Sequence, residues 1–196
     1  MPRQAREKSG IEVYHVMLRG INQQQIFEDE RDNEEFIEVI GKVKEISKFQ
    51  LYAYCLMGNH VHLLLKVETE ELEQIFKRIG VRYVQYYNFK YKRVGHLFQD
   101  RFKSEPIEDD RYLLAVLRYI HQNPLKAGLC KKIDGYKWNS YKEYMTTPSI
   151  TDTSFILDII AKERNLYIKK LRIKGLSIRQ ISRLTGISKR IVENSK

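Results

Sequence analysis

Cysteine is scarce in this chain. Its 196 residues include two, Cys55 and Cys130, set neither at metal-binding spacing nor in a disulfide framework. That excludes a cysteine-built zinc module or a stapled secreted domain and points to a reducing compartment. Long apolar runs are missing too: none approaches the ~20 residues that cross a bilayer. The first ten residues are polar and lack the apolar core of a signal peptide. A soluble, cytoplasmic protein without a membrane partner is expected. Acidic side chains are outnumbered, 25 against 35 Lys and Arg, for a formal charge of +10. Such an excess calls for a polyanionic partner.

The apolar fraction, 42%, is ordinary for a globular core. Thirteen Tyr and eight Phe interleave with basic residues, a mixture suited to single-stranded nucleic acid, where bases stack and phosphates pair. The charge is uneven: from Glu163 to Lys196 there are ten basic residues and two acidic ones, which marks a separate basic module. The polar stretch 146–153, with Pro148 and several Ser and Thr, reads as a linker. The expected domains are thus 1–145, a linker 146–153, and a basic helical module 154–196.

Within the first domain, strands alternate with helices. Residues 12–19, 50–56 and 60–67 have strand character, and Met57-Gly58-Asn59 joins the last two as a turn. Residues 32–48 place Phe36, Ile37, Ile40, Val43 and Ile46 at helical spacing. A second helix over 70–89 turns Leu72, Ile75, Phe76, Ile79 and Val84 inward. A turn at Gly95 and a strand near 102–107 follow. A third helix over 109–123 closes before Pro124. The order strand–helix–strand–strand–helix–strand is an α+β, ferredoxin-like split βαβ plan.

The sharpest local feature is His60-Val61-His62. Residues two apart on a strand share a face, so both imidazoles project side by side, while Val61 and Leu63 enter the core. One divalent metal ion can bridge such a pair. A zinc hydrolase would need a third protein ligand. His15, His96 and His121 are available, none at a zinc-ligand spacing. On the third helix, Leu113, Val116, Leu117 and Ile120 face the core, while Tyr119 and Asn123, four apart, share another face. The Asn123 amide oxygen suits Mg²⁺ or Mn²⁺, and the Tyr119 phenol is a candidate nucleophile. His121 points away from both.

Three stretches occur in order: Tyr54-Cys-Leu-Met-Gly-Asn-His-Val-His62, Gly95-His-Leu-Phe-Gln-Asp-Arg-Phe-Lys-Ser104, and Arg118-Tyr-Ile-His-Gln-Asn-Pro-Leu-Lys-Ala-Gly128. With the trailing Tyr136-Lys-Trp-Asn-Ser-Tyr141, they closely resemble the single-tyrosine HUH transposases (IS200-like), in their REP-associated tyrosine transposase branch. The resemblance runs from about Val13 to Tyr144. It implies the HUH endonuclease fold, with His60 and His62 as metal ligands, Asn123 completing the Mg²⁺ or Mn²⁺ site, and Tyr119 as nucleophile. The implied reaction is metal-assisted attack of Tyr119 on single-stranded DNA beside a hairpin. It gives a 5′-phosphotyrosine and a free 3′-OH, and rejoining follows without ATP. The resemblance also implies either a monomer or a homodimer whose tyrosine helix serves the partner's His pair.

Candidate DNA contacts in the first domain are Arg19, Lys77, Arg78, Arg82, Lys92, Arg93, Arg101 and Lys103. Tyr83, Tyr86, Tyr87, Phe89 and Tyr91 lie among them as stacking platforms or as core. Residues 175–194 read as a small all-α helix-turn-helix module. Ser177 and Ser188 cap its helices and Gly186 makes the turn. Ile178, Ile181, Leu184, Ile191 and Val192 point inward, and Arg179, Lys189 and Arg190 face DNA. Two rival functions share these features: a non-catalytic helix-turn-helix repressor on an inactive HUH fold, and a metal-dependent nuclease without a covalent intermediate.

Overall fold

The computed structural model describes residues 7–195. Strands β1 (Val13–Arg19), β2 (Gln50–Met57), β3 (His60–Lys66) and β4 (Lys103–Ile107) form one antiparallel sheet in the order β2-β3-β1-β4. Helix α1 (Glu30–Ser47) follows β1, α2 (Leu72–Lys90) follows β3, and α3 (Asp110–Lys126) follows β4. The chain divides into two compact units between Thr153 and Ser154. Among the described residues no helix is long and apolar enough to cross a membrane.

Period-two alternation splits the sheet residues between two faces. Val16 and Leu18 of β1 and Val61, Leu63 and Leu65 of β3 join Phe36, Ile40 and Val43 of α1 and Ile75, Phe76 and Ile79 of α2 in one core. The opposite face carries His15, Met17 and His62, and α3 packs against β2 and β3. Leu113, Val116, Leu117 and Ile120 of α3 are buried as expected. Ile46 is not: it is 52% exposed at the end of α1.

The helices begin where their caps dictate. Asp29 and Asp32 form a reciprocal capping box at α1, and Asp109 accepts from the Tyr112 amide at α3. Helix α3 does not stop before Pro124 but runs on to Lys126. Proline lacks an N–H, so Pro124 leaves the Ile120 carbonyl without its usual i+4 partner, a loss of one hydrogen bond in the last turn and a half of the helix. Gly128, at φ 72°, closes the helix by donating to Leu125 O.

The edge strand β2 is covered by residues 136–152. Leu56 N donates to Trp138 O and Asp152 N to Leu51 O. Tyr54 N donates to Ser140 Oγ, Leu51 N to Asp152 Oδ2, and the Tyr136 and Tyr144 hydroxyls to Leu56 O and Tyr52 O. An open strand edge is thereby closed to pairing with another chain. The stretch 146–153, expected as a linker, is fastened to this unit: the Glu143 carboxylate accepts from the Ser149, Ile150 and Thr151 amides.

In the second unit, helix α4 (Thr153–Ile173) precedes α5 (Ile178–Thr185) and α6 (Lys189–Asn194). Ser177 and Gln180 form a capping box, Gly186 takes the left-handed conformation, and Ser188 caps α6. Ile168, Ile181 and Val192 make its small core, with Ile178 against it. Leu184 is 71% exposed and Ile191 38%, a correction to the inward set. Helices of eight and six residues present too short a stripe to bury every apolar position.

Candidate active site

The β2–β3 turn places His60. Gly58 O accepts from the Ile26 and Phe27 amides, and the Gly20 amide donates to Asn59 O. A Cβ on Gly20 would collide with the Gln24 carbonyl, so only glycine lets residues 20–27 lie this close. His60 and His62 then share the face covered by α3, with ring centroids 5.0 Å apart. Tyr119 of α3 stands edge-on to His62 at 5.5 Å and to His15 at 5.9 Å, all within one chain. The Tyr119 side chain is accessible, at 41% exposure. It borders a recess of about 330 Å³ lined by His15, Met17, Glu105, Tyr112, Ala115 and Val116. Lys126 Nζ lies 5.5 Å from the centre of its ring.

Each histidine of the pair has its Nδ1 engaged. His60 Nδ1 is 2.6 Å from Asn59 Oδ1, and His62 Nδ1 is 3.0 Å from His15 Nε2. The amide oxygen of Asn59 can only accept, so His60 carries its proton on Nδ1 and leaves the Nε2 lone pair free. Burial pushes the His62 imidazole down to about 3, helped by the neighbouring His15 and His60. Burial also lowers His60, reinforced by Arg19. Both rings are therefore neutral at physiological pH, as metal ligands must be. Asn123, one helical turn beyond Tyr119, has a buried side-chain nitrogen with no partner. Turned over, the same carboxamide offers an unsatisfied oxygen there. Imidazole nitrogens and a carboxamide oxygen are donors of the kind that suit a divalent ion. Among the described residues no group of three or more His, Cys, Asp or Glu is placed to share one, so an all-protein His₃ zinc site is not built here.

The third histidine beside the pair is His15. His121 is buried on the far side of α3, its Nε2 2.9 Å from Ser140 Oγ, and His96 lines a different cleft. His15 was one of three histidines the sequence offered, and strand register decides among them; Glu105 was not legible as a site residue, because its approach depends on that same register. Their only sequence signal is alternation, which puts each on a definite face of its strand.

The basic candidates scatter. By register, Arg19 opposes His60 and Lys103 opposes Met17, so both lie on the face of the His pair. Lys77 and Arg101 instead line a cleft of about 620 Å³ with Leu18, Phe76 and Phe98, on the other side of the sheet. Arg78 is held by Glu70 at 2.5 Å, Arg82 donates to Arg78 O, Arg93 stacks over Tyr87, and Lys92 is exposed beyond α2. The tyrosines among them are structural. Tyr83 and Tyr87 are buried and donate to Ile26 O and Gln25 O, while Tyr86 and Tyr91 donate to the buried Asp32. Phe89, 89% exposed, is the member of the row that stands free of the core. Arg179, Lys189 and Arg190 are exposed on α5 and α6.

This geometry can be set beside known proteins. Residues 12–123 match the family model described as transposase IS200 like, more than half of the chain. The chain belongs to the IS200-like transposase family. A protein of Haemophilus influenzae, provisionally named a REP-associated tyrosine transposase, is 27% identical over 119 residues, spanning 55% of this chain and 67% of that protein. The solved structure of a REP-associated tyrosine transposase bound to a REP hairpin superposes with a TM-score of 0.62 at 16% identity, covering 79% of this chain and 96% of the other. At that identity the likeness speaks for the fold. Within the transposase family, the matched span holds His60, His62, Tyr119 and Asn123, and it ends before the segment that covers β2.

Proposed function

We propose that this chain is a single-strand DNA nickase and strand transferase, with Tyr119 as nucleophile and His60, His62 and Asn123 as ligands of Mg²⁺ or Mn²⁺. The observation that carries the reading is the exposed Tyr119 ring standing 5.5 Å from His62, in a chain of the IS200-like family. The strand order supports a ferredoxin-like split βαβ, the HUH arrangement, for the first unit's sheet.

A divalent ion, when bound, supplies positive charge to the scissile phosphate and its leaving oxygen. The protein's own part is positioning. The recess beside Tyr119 admits the strand, and α3 aims the phenol at phosphorus. The Tyr119 Oη–phosphorus bond forms as the bond to the 3′ oxygen breaks. The phenol proton goes to solvent, and the departing oxygen takes up a proton to become a 3′-OH. The phosphodiester energy stays in the phosphotyrosine, so a second 3′-OH can displace Tyr119 and rejoin the strands. Tyr119 and the His pair meet within one chain, which favours a site completed in cis. Arg19 and Lys103, on the same sheet face, would pair with phosphates.

The second unit (154–196) would act as a helix-turn-helix DNA anchor, with Arg179, Lys189 and Arg190 towards the duplex. The substrate is single-stranded DNA beside a hairpin, by analogy with the hairpin bound to the solved relative.

The test uses 5′- and 3′-labelled single-stranded oligonucleotides bearing hairpins, incubated with Mn²⁺ or EDTA and run on denaturing gels. A metal-dependent adduct carrying the DNA downstream of the cut, and lost in Tyr119→Phe, is expected. Cleavage without an adduct would favour the nuclease, and binding without cleavage the repressor.

A further inference from the structure

Strand pairing sets three polar side chains on a diagonal across the sheet. His15 of β1 lies directly opposite Glu105 of β4 on one side and Leu64 of β3 on the other. His62 precedes Leu64 by two residues, so it shares that face and lies diagonal to His15, within reach of a long side chain. The contacts close accordingly. Glu105 Oε2 is 3.2 Å from His15 Nδ1, and His15 Nε2 is 3.0 Å from His62 Nδ1, with the two rings nearly parallel. The His15 side chain is 6% exposed, while Glu105 reaches solvent at 60%.

The chemistry of these groups orders their protons. A carboxylate can only accept, so His15 Nδ1 carries a hydrogen and donates it to Glu105. The neutral His15 ring then has Nε2 as an acceptor. His62 fills it by carrying its own hydrogen on Nδ1, and the lone pair left on His62 is that of Nε2. His60 has a local counterpart in Asn59. The prop of His62 comes instead from two other strands.

We propose that Glu105 and His15 are positioning residues that lock His62 in the Nδ1–H tautomer and hold its ring so that Nε2 faces the metal site. The proposal rests on the assignment of His62 as a ligand under Proposed function. Outer partners of this kind fix the tautomer and orientation of a ligating histidine, and their loss commonly weakens metal binding 10–100-fold.

Two readouts on the full chain test it. Ring-nitrogen NMR of the metal-free protein at neutral pH should find His62 protonated on Nδ1 alone. Glu105→Leu should leave His15 and His62 as mixtures of tautomers, and because Glu105 is largely exposed on an edge strand this variant should fold. Titration with Mn²⁺, followed by electron paramagnetic resonance, should show binding weakened 10–100-fold in His15→Phe and less in Glu105→Leu. A His62 ring protonated on Nε2 in the native protein, as an imidazolium at His15 would enforce, overturns the proposal. So does unchanged Mn²⁺ affinity in both variants. A native chain that binds no Mn²⁺ would count against the metal centre itself, and the tautomers of the metal-free protein would still decide the lock.

Discussion

Replacing Glu143 with glutamine should unfasten the cover of strand β2. The carboxylate is 8% exposed. Its Oε2 accepts from the Ser149, Ile150 and Thr151 amides and the Thr151 hydroxyl at 2.8–3.1 Å, and its Oε1 from the Tyr54 and Ser149 hydroxyls at 3.0 Å. Burial pushes this carboxyl up, but the bonds from Thr151, Ser149 and Ile150 outweigh it and leave it below its ordinary 4.5. Glutamine removes the charge and turns an NH₂ towards one set of donors. Hydrogen bonds to a charged acceptor are worth about 1.5–3 kcal/mol against about 1 for neutral ones, so the net loss should be about 3 kcal/mol. For a unit of this size that is roughly 6–12 °C in melting temperature. The pH dependence has a definite sign. A folded value below the unfolded one gives stability that is full above about 4.5 and is lost as pH falls through the lower folded value. Urea unfolding at pH 7 and pH 3.5 reads both effects: Glu143→Gln should be less stable at pH 7 and should lose less on acidification. A variant within 0.5 kcal/mol (roughly the scale of neutral surface changes) of the native protein at pH 7 would refute the reasoning.

His121, lowered from 6.5 to about 4 by burial, should cost stability as pH falls from about 6.5 towards 4, by about 3 kcal/mol at most. His121→Gln keeps a polar group near Ser140 and should flatten that part of the curve, as urea midpoints at pH 7 and 4.5 would record. An unchanged slope would mean that His121 is not the group that titrates. Replacing Arg179, Lys189 and Arg190 together by alanine should reduce the slope of log affinity against log salt by about 3 for duplex DNA. A titration series from low to moderate salt measures this, and an unaltered slope would remove the second unit from the DNA interface.

Local periodicity made the scaffold legible. Alternation in residues 12–19, 50–56 and 60–67 marked three strands, and the two-residue spacing of His60 and His62 already placed both rings on one face. The four-residue spacing of Tyr119 and Asn123 did the same on α3. The contacts that complete the site were hidden, because they depend on register between distant strands: His15 meets Glu105 across ninety positions and His62 across forty-seven. The roles of the tyrosines on and just beyond α2 were hidden for a similar reason. Tyr86 and Tyr91 look like stacking platforms until the buried Asp32 appears beneath them. Pro124 misled as a helix stop, since a proline costs the helix one hydrogen bond, to the carbonyl four residues back, and α3 runs on past it to Lys126.

The central claim is that Tyr119 itself becomes bonded to DNA. The most direct measurement is to trap the adduct on a hairpin-bearing oligonucleotide with Mn²⁺, digest it, and locate the modified peptide by mass spectrometry. The account predicts a single nucleotide-bearing peptide containing Tyr119, with phosphorus on its phenolic oxygen and absent in EDTA. Modification at another of the thirteen tyrosines, or cleavage with no modified peptide, would contradict it.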